Sequence, residues 1–367
     1  MQNYPSAART ATLSLSDELA ARARCEGPLG FAAFMEAALY HPRHGYYAST
    51  LRRIGRKGDF FTSVSVGPLF GMLLARRLLA HYRDLGSPAR WRIVECGAHD
   101  GTLAADVLAA IESLDSQAFA TLEYLIAEPL VLLRDSQRGT LAGYGDRVVI
   151  AADLAAHAAT PLPGVAFGNE VLDALPCHVV EPRGGVWKEC LVDHDPRCGW
   201  FWTQGSAVCD RIAAMLPSPD AVPEGWRTEV RDDFAGFLAP LRQVLERPRM
   251  IWIDYGFSRE EYHAAARNEG TLRAYRDHRV LADPLQNPGD QDLTAHVDFT
   301  AVAEAAHTLG GRMDVCCSQG SWLTKLARPW LAAMEGNPDA AMLRQFQTLT
   351  HPAHLGRAFQ VIELSWD

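Results

Sequence analysis

The sequence lacks several features that would assign it at once to a particular class of protein. Lys and Arg together number 35 against 44 for Asp and Glu, so the formal net charge is -9. A negative chain repels the phosphate backbone of nucleic acids, so no nucleic-acid partner is expected. The sequence also has no run of about 18 uncharged apolar residues, and no membrane insertion is expected. Because residues 1–27 lack the apolar segment of a secretory signal, we expect a cytoplasmic protein.

The spacing of a metal site is missing too. The eight cysteines form no C-x-x-C pair and stand at no zinc-finger distance from a histidine pair, so we predict no metal. Several lie in apolar runs, as Cys96 and Cys317 do, where a reduced cysteine acts as a small apolar side chain. This usage indicates a reducing compartment. With 48% hydrophobic and 22% charged residues, the composition is typical of a folded globular protein.

From Trp91 onward, short apolar segments alternate with amphipathic ones. The pattern predicts helices over residues 102–114 and 130–141. It predicts seven strands, over residues 91–96, 122–127, 147–152, 165–168, 250–254, 313–317 and 359–364. Such alternation is typical of an α/β fold, a doubly wound and mostly parallel sheet with helices on both faces.

The rest of the chain is predicted to divide around this sheet. The four parts are a helical N-terminal region with a lid segment, the first part of the core, an inserted α+β lobe and the second part of the core, over residues 1–88, 89–177, 178–248 and 249–367. Helices are predicted over 16–25 and 29–40 in the N-terminal region. The lobe is predicted to contain a hairpin over 178–195, turning at Gly184, and a helix over 229–245.

The turn after the first strand is the strongest local signal for a ligand. Gly97 and Gly101 stand in a strand, turn, helix segment over 93–103, where glycine lets the backbone and a helix N-terminus approach a bound molecule. The spacing is G-x-x-x-G instead of the G-x-G-x-x-G of dinucleotide enzymes. It therefore favours contact with an amino-acid moiety over a pyrophosphate cradle, and a purely structural turn is the alternative.

Acidic residues end the second and third predicted strands. Glu128 is placed to accept hydrogen bonds from a ribose diol, and Asp153 to meet an exocyclic amine. Either residue alone is more often a surface acid. Together, at successive carboxyl ends of one sheet, they predict a nucleoside site.

The fourth strand runs into a second acidic segment. Glu170 and Asp173 lie three residues apart after Asn169, and paired carboxylates there can hold a guanidinium by bidentate hydrogen bonds. The alternative is a helix N-terminus in which Asn169 is the cap and Glu170 satisfies the helix dipole.

A long loop after the fifth strand gathers further polar residues. Its members are Arg273, His278, Asp292, Thr294, His296 and Asp298. Loops of this length are more often functional than structural. Since no fixed ligand spacing appears, we predict substrate recognition or bracing of the loop, without a metal.

Motifs in order along nearly the whole chain carry a family resemblance. They read ALYHP (38–42), GYY (45–47), GDF (58–60), TS (62–63), FG (70–71), residues 95–103, NE (169–170), DALP (173–176), IDYG (253–256), GTLRAY (270–275) with His278, PG (288–289) and DLTAHVDF (292–299). With them the sequence resembles the MidA family of S-adenosylmethionine-dependent protein methyltransferases, which includes the mitochondrial complex I assembly methyltransferases.

The resemblance implies a class I methyltransferase, with a Rossmann-like sheet of seven strands, S-adenosylmethionine as cofactor and a protein arginine as methyl acceptor. It implies a link to respiratory complex assembly, and the mitochondrial matrix for a eukaryotic chain. Glu170 and Asp173 would be catalytic, orienting the guanidinium and accepting its proton. The cofactor-binding residues would be Gly58, Asp59, Thr62, Glu95, Gly97, Gly101, Glu128, Asp153 and Asn169. Arg273, His278, Asp292 and His296 would serve the substrate or the loop.

Within this resemblance, the segment over 58–63 is a lid over the cofactor or, alternatively, a capped turn leading into the next helix. Glu95 would meet the cofactor's ammonium or the backbone of its loop. His99 stands where the family usually has glycine. A non-catalytic assembly factor with the same fold and weakened cofactor binding is therefore the alternative function. A nucleobase or glutamine methyltransferase would carry Asn-Pro-Pro after the fourth strand, where this sequence has Asn169-Glu170-Val171.

Overall fold

The computed structural model describes residues 13–49, 62–277, 279–334 and 339–367. Over these ranges the strands are β1 Leu29–Gly30, β2 Trp91–Cys96, β3 Leu122–Ala127, β4 Val148–Ala151, β5 Leu162–Asn169, β6 His178–Arg183, β7 Val186–Asp195, β8 Gly199–Ala207, β9 Thr228–Val230, β10 Leu245–Phe257, β11 Arg273–Arg276, β12 Arg279–Leu281, β13 Asp292–Thr294, β14 Val297–Asp298, β15 Arg312–Ser318 and β16 Phe359–Ser365. The predicted site residues Gly58, Asp59 and His278 lie outside the described residues.

The helices over the same ranges are α1 Leu15–Glu26, α2 Phe31–Tyr40, α3 Tyr46–Ser49, α4 Ser63–Val66, α5 Leu69–Asp84, α6 Thr102–Leu114, α7 Ser116–Ala120, α8 Val131–Leu141, α9 Asp210–Ala213, α10 Phe234–Gln243, α11 Arg259–Tyr262, α12 Phe299–Thr308, α13 Gln319–Ala333, α14 Ala340–Thr350 and α15 Leu355–Ala358. In the part of the chain that is described, no helix combines the length and apolar character needed to cross a bilayer.

The central sheet has the order β15-β16-β10-β5-β2-β3-β4. Neighbours from β4 to β10 are parallel, whereas β16 is antiparallel to both β10 and β15. All seven predicted strands are therefore confirmed as strands of one α/β sheet, and β2 and β3 have the predicted bounds. An eighth strand, β14, pairs with the end of β10 and was not predicted, because two residues are too short to give a periodic signal.

The two faces of the sheet bury different clusters, since successive strand residues point to opposite sides. In β2, Trp91 and Ile93 join the cluster beneath α5, α6 and α13, whereas Val94 and Cys96 join the cluster beneath α10 and α12. Helices thus cover both faces, as predicted. Because helices cover both faces of the sheet, a ligand site is expected among the loops at the carboxyl ends of the strands.

A second, antiparallel sheet has the order β1-β7-β6-β9, with β8 on the free side of β7. The predicted hairpin is present as β6 and β7. The predicted helix over 229–245 is wrong at its start, because Glu229 lies in β9 and pairs with Val179 of β6. The helix begins only at Phe234, where the Asp233 side chain caps it by accepting a hydrogen bond from the Gly236 N–H.

The N-terminal helices pack against this second sheet. The ring of Phe31 lies 5.0 Å from that of Trp202, and the ring of Phe34 lies 5.3 Å from that of Trp200. The predicted helix over 29–40 begins two residues later, because Leu29–Gly30 pairs with β7. The packing fixes the end of α2 beside the central sheet, where the Tyr40 hydroxyl donates to the Ala174 carbonyl at 3.0 Å.

Candidate active site

A cavity of about 980 Å³ opens at the carboxyl ends of β2, β3, β4, β5 and β10. Its lining comes from the loops after these strands and from α3, α4, α10 and the β11–β13 region. Ligand sites in open α/β sheets lie at this edge, and this volume is at the upper end of the range for small-molecule sites. The cavity is large enough for a nucleoside cofactor and an acceptor side chain together.

The turn after β2 approaches the turn after β5 closely. Gly97 has φ +68°, and a Cβ built there would lie 2.6 Å from Val171 Cγ2. Gly101 has φ +84° and precedes the first residue of α6, so both predicted glycines occupy positions that suit no larger residue. Gly97 lines the cavity, whereas Gly101 stands behind it, and Thr102 lines the cavity in its place.

Glu95 is buried at the cavity wall. Its Oε2 accepts a hydrogen bond from the Tyr124 hydroxyl at 2.7 Å, and burial raises the pKa of its carboxyl to about 8. A cationic group in the cavity would stabilise the charged form of this carboxylate. The structure therefore brings Glu95 to the place where an ammonium could meet it.

Glu128 lies further along the same wall and is 4% exposed. Its carboxylate accepts hydrogen bonds from the Leu130 N–H at 2.9 Å and from Gln137 Nε2 at 3.1 Å, while burial raises its pKa. These bonds fix the carboxylate and leave lone pairs for hydroxyl donors. Beyond it, the wall becomes apolar through Leu130, Leu133, Leu154, Phe237, Pro240 and Leu241.

Asp153 is not brought into this group. Its neighbours Ala152 and Leu154 line the cavity, but Asp153 itself is exposed. Its Oδ1 accepts a hydrogen bond from the Ala155 N–H at 2.9 Å. It thus closes a local turn just before a short 3₁₀ helix, a common use of aspartate after a strand.

The loop after β5 brings Asn169, Glu170 and Asp173 to the cavity. Asn169 Nδ2 donates to Glu170 Oε1 at 2.8 Å, and Glu170 has φ +55°, a conformation rare for glutamate. No helix follows in this fully described segment, so the alternative of a helix capped by Asn169 is wrong. Strain of this kind persists where the surrounding structure holds it.

Asp254 of β10 supplies that support. Its buried Oδ2 accepts hydrogen bonds from three successive backbone N–H groups, those of residues 171–173, at 3.0, 2.8 and 3.2 Å. Its Oδ1 accepts a fourth, from the Tyr255 N–H, at 2.7 Å. One side chain from the neighbouring strand therefore sets the path of the acidic loop.

The electrostatics of the acidic loop are unusual. Burial, with the nearby Asp173 charge, raises the pKa of Glu170 to about 8. Burial also raises the pKa of Asp173 to about 6, against the opposing positive charge of Arg231. Two acids that are costly to ionise, both at one cavity, mark a functional site.

Arg231 crosses from the second sheet to brace the same loop. It is 7% exposed and donates to the carbonyls of Leu175, Ala295 and His296 at 2.8 to 2.9 Å and to that of Asp173. Sequence reasoning missed it, since the run Arg-Asp-Asp that begins there resembles a solvated surface segment.

The N-terminal region contributes two tyrosines that sequence reasoning did not place in the site. Tyr40 and Tyr47 line the cavity with their rings 5.4 Å apart. The Tyr47 hydroxyl donates to Asp292 Oδ1 at 3.1 Å. Burial raises the pKa of both phenols, so both remain hydrogen-bond donors at physiological pH. In the sequence they stand in the ALYHP and GYY motifs, which carried the family resemblance without assigning either tyrosine to the site.

The loop after β10 divides between the cavity and its surroundings. Asp292, Thr294 and His296 line the cavity, whereas Arg273 does not, and Asp298 caps α12. The His296 ring stacks on Tyr255 at 6.2 Å. Burial, with the charges of Arg273 and other nearby arginines, lowers the pKa of His296 to about 4, so the ring is neutral at pH 7. Among the described residues no group of three histidine, cysteine or acidic side chains could hold a metal ion.

Thr62 and His99 occupy opposite parts of the wall. Thr62 lines the cavity and forms a capping box with Ser65 at the start of α4, so the predicted capped turn is present. The His99 imidazole lies beside Asp100, with its Nδ1 3.7 Å from Asp100 Oδ1. His99 Nε2 is buried without a described hydrogen-bond partner. The ring lines the cavity without filling it.

These residues fit S-adenosylmethionine. The carboxylates of Glu95 and Glu128 suit its ammonium and ribose hydroxyls, and the apolar wall beyond Glu128 suits its adenine. Asn169 Oδ1 is a buried acceptor with no described partner, available to a ligand donor. Gly97 lines the cavity without a side chain and so leaves room for a ligand beside this turn.

Comparison with known proteins agrees with this fit. A family described as "Putative S-adenosyl-L-methionine-dependent methyltransferase" matches residues 73–316, about two thirds of the chain. The Drosophila melanogaster protein named Protein arginine methyltransferase NDUFAF7 homolog, mitochondrial, is 29% identical over 96% of this chain and 84% of its own length. The Homo sapiens Protein arginine methyltransferase NDUFAF7, mitochondrial, is 28% identical over 76% of this chain and 66% of its own length.

A solved structure gives the same assignment. A Burkholderia thailandensis protein, crystallised with S-adenosyl-homocysteine bound, is 31% identical and superposes with a TM-score of 0.85, covering 96% of this chain and 92% of its own. The family resemblance drawn from the motifs is thereby confirmed, together with the predicted fold class. The chain belongs to this family of S-adenosylmethionine-dependent methyltransferases, and S-adenosylmethionine is its cofactor.

Proposed function

We propose that the chain methylates arginine side chains of a protein substrate. The observation that carries this proposal is the pair of carboxylates at one cavity, half-buried Glu170 and buried Asp173, whose pKa values are raised to about 8 and about 6. A guanidinium entering the cavity would bring a positive charge next to both carboxylates, since an arginine side chain stays protonated in water. The names of the Drosophila and human relatives, both protein arginine methyltransferases, support the same acceptor.

The cavity separates the task of holding the cofactor from the task of holding the acceptor. In this proposal Glu95, the Gly97 turn, Glu128 and Asn169 hold the cofactor, which supplies the methyl group. Glu170 and Asp173 accept hydrogen bonds from the guanidinium and turn one nitrogen toward the cofactor side of the cavity. The N-terminal tyrosines and Asp292 close the acceptor side and exclude water from it.

The proton balance follows from the same residues. A guanidinium nitrogen that gains a methyl group must lose a proton. Glu170, which gives up its own proton when the cationic guanidinium binds beside it, is then placed to accept the proton that the nitrogen loses. The hydrogen bond from Asn169 keeps one oxygen of Glu170 in place. Asp173 remains beside the cationic product and stabilises it.

The alternative, an assembly factor with weakened cofactor binding, rested on His99. The imidazole stands at the wall beside Asp100 and leaves a cavity of about 980 Å³, which supports the catalytic proposal. The identity of the substrate protein, and the choice between cytoplasm and mitochondrial matrix, stay predictions. The relatives' names place those proteins in mitochondria.

Transfer of labelled methyl from S-adenosylmethionine to arginine-containing proteins, followed by amino-acid analysis of the product, tests the proposal. We expect label in methylarginine with the wild-type protein and with Asp210→Asn, a control at the exposed start of α9. We expect no label with Asp173→Asn. Label in another residue type, or none despite measured binding of S-adenosylhomocysteine, would contradict arginine as the acceptor.

A further inference from the structure

One arginine lies on the cavity face of the small sheet next to the acceptor site. Strand β11 pairs antiparallel with β13, so that Tyr275 is opposite Asp292 and Arg273 is opposite Thr294. Opposite residues in such a pair project on the same side of the sheet. Because Tyr275, Asp292 and Thr294 all line the cavity, the side chain of Arg273 projects on that same side, directly opposite Thr294 and two residues before Tyr275.

Arg273 is exposed, and its side chain hydrogen-bonds to the backbone of the preceding residue. Its Nη1 donates to the Leu272 carbonyl at 2.7 Å, and within the described residues no carboxylate forms an ion pair with it. Its charge nevertheless reaches the cavity, where it helps to keep His296 neutral. Arg276, on the other face of the same strand, is paired with Asp277 at 3.7 Å and with Asp290 at 3.9 Å.

The acceptor side therefore has an anionic interior and a cationic edge. Glu170 and Asp173 lie inside, whereas Arg273 stands at the edge and Arg267 stacks on Phe257 at 3.7 Å, next to His296. A substrate with only basic residues around its target arginine would be attracted by the interior and repelled by the edge. A substrate with an acidic residue near its target arginine is attracted by both, its arginine by the acidic interior and its acidic residue by the basic edge.

We propose that Arg273 binds a carboxylate of the substrate protein, an aspartate or glutamate close in sequence to the arginine that is methylated. The inference rests on the proposed arginine acceptor and extends it to substrate selection. Arginine suits this task, since its planar guanidinium can hold a carboxylate by two parallel hydrogen bonds. The contact would lie at the rim of the site, where an ion pair adds specificity more than affinity.

Methylation of a peptide library tests the proposal. Each peptide carries one arginine and randomised flanking positions, and methylated members are identified by mass spectrometry. For the wild-type protein we expect aspartate and glutamate to be enriched about two- to five-fold at one flanking position, the size expected for an exposed ion pair. The enrichment should fall in high salt, because exposed charges are screened.

Variants separate Arg273 from the general charge of the region. Arg273→Gln should abolish the enrichment, and Arg273→Glu should replace it by a preference for basic residues at the same position. Arg279→Gln is the matched control, because Arg279 is exposed on the same hairpin but is opposite Arg276, on the face away from the cavity. This control should keep the wild-type preference.

Failure of this inference is distinguishable from failure of the proposed function. Methylated arginine without acidic enrichment, or enrichment that persists in Arg273→Gln, would overturn the role of Arg273 and leave arginine methylation standing. The absence of methylarginine from every peptide would overturn both. Weaker binding of S-adenosylhomocysteine by Arg273→Gln would assign Arg273 to the cofactor and also overturn the inference.

Discussion

Two regions of the molecule bury carboxylates in opposite ways. In β16, Glu363 is 2% exposed and is held by Arg77 through a bond from Nε at 2.9 Å and by Trp322 Nε1 at 2.6 Å. Burial alone would raise the pKa of Glu363, but the neighbouring His81 and Arg77 side chains lower it to about 2. This acid has its cation within the fold and is ionised at every physiological pH.

At the cavity the arrangement is reversed. Half-buried Glu170 and buried Asp173 lie just after β5, and the pKa values of both are raised. Asn169 donates to Glu170, but an amide brings no net charge. The difference indicates that the charge of Glu363 is balanced within the fold, whereas the carboxylates after β5 are suited to bind a cationic ligand.

The largest effect, on turnover, is expected from replacing Asp173, the acid proposed to hold the acceptor guanidinium. Asp173→Asn should lower kcat by about 10²- to 10³-fold, the range for removing one preorganised electrostatic contact to the reacting group. The binding of S-adenosylhomocysteine should remain close to wild type, since other residues hold the cofactor. Single-turnover kinetics and calorimetry check the two parts. Unchanged turnover would remove Asp173 from the catalytic pair.

The next largest effect, on the free energy of unfolding, is expected from replacing Glu363. Glu363→Gln should destabilise the protein by about 3–5 kcal/mol, because it leaves the charge of Arg77 uncompensated in a partly buried place. Methyl transfer below the melting temperature should be unaffected. Urea unfolding of this variant beside Glu170→Gln measures the contrast. Equal losses of stability in the two variants would erase the distinction between the regions.

The pH dependence of stability should also differ between the regions. Glu170 has a raised pKa, so between about pH 4.5 and 8 the folded state holds a proton that the unfolded state has released, and the contribution of Glu170 to stability falls as pH rises. The contribution of Glu363 is present above pH 4.5 and is lost as pH falls toward 2.

Glu170→Gln removes the cost of ionising that carboxyl. At pH 8 this variant should be more stable than wild type by roughly 1–3 kcal/mol, with the difference shrinking toward pH 5, while its turnover is lost. Chemical unfolding of both proteins at four pH values checks this. A difference that is independent of pH would show that Glu170 ionises as easily as an exposed acid.

The smallest effect concerns the contact between the cofactor turn and the acidic turn. Gly97→Ala should cost about 1–2 kcal/mol, since alanine is strained at φ +68° and its Cβ would meet Val171 Cγ2. Weaker binding of S-adenosylhomocysteine should accompany the loss. Gly184→Ala, where a Cβ at φ +61° would meet nothing within 4 Å, is the control for backbone strain alone. Equal effects on binding in the two variants would exclude a role for the contact.

The sequence was most informative where the signal was local. Strands β2 and β3 were predicted to the residue. The acids Glu95, Glu128 and Glu170 were predicted at the edge of the sheet where they line the cavity, because parallel strands bring their carboxyl ends to one edge. Asp153 was placed by the same rule but faces solvent, since a strand end does not determine which way the next side chain turns.

What the sequence could not show depends on contacts between distant segments. Asp254 reads as the polar end of a strand, and its hydrogen bonds to residues 171–173 arise only when β10 lies beside β5. Arg231 binds carbonyls from two loops, one more than 50 residues before it and one more than 60 after it. Tyr40 and Tyr47 reach the cavity because the N-terminal helices pack on the second sheet, a pairing that no local pattern predicts.

Proton release on acceptor binding tests the central claim most directly. The titrant is an arginine peptide that the protein methylates, and it is added to the complex of the protein with S-adenosylhomocysteine. Calorimetry at pH 7 in buffers of different ionisation enthalpy then counts the protons exchanged on binding. We predict release of about one proton with the wild-type protein, because a bound guanidinium lowers the pKa of Glu170, and little release with Glu170→Gln. Peptide binding without proton release in the wild-type protein would contradict the claim that the guanidinium ionises these acids at the cavity.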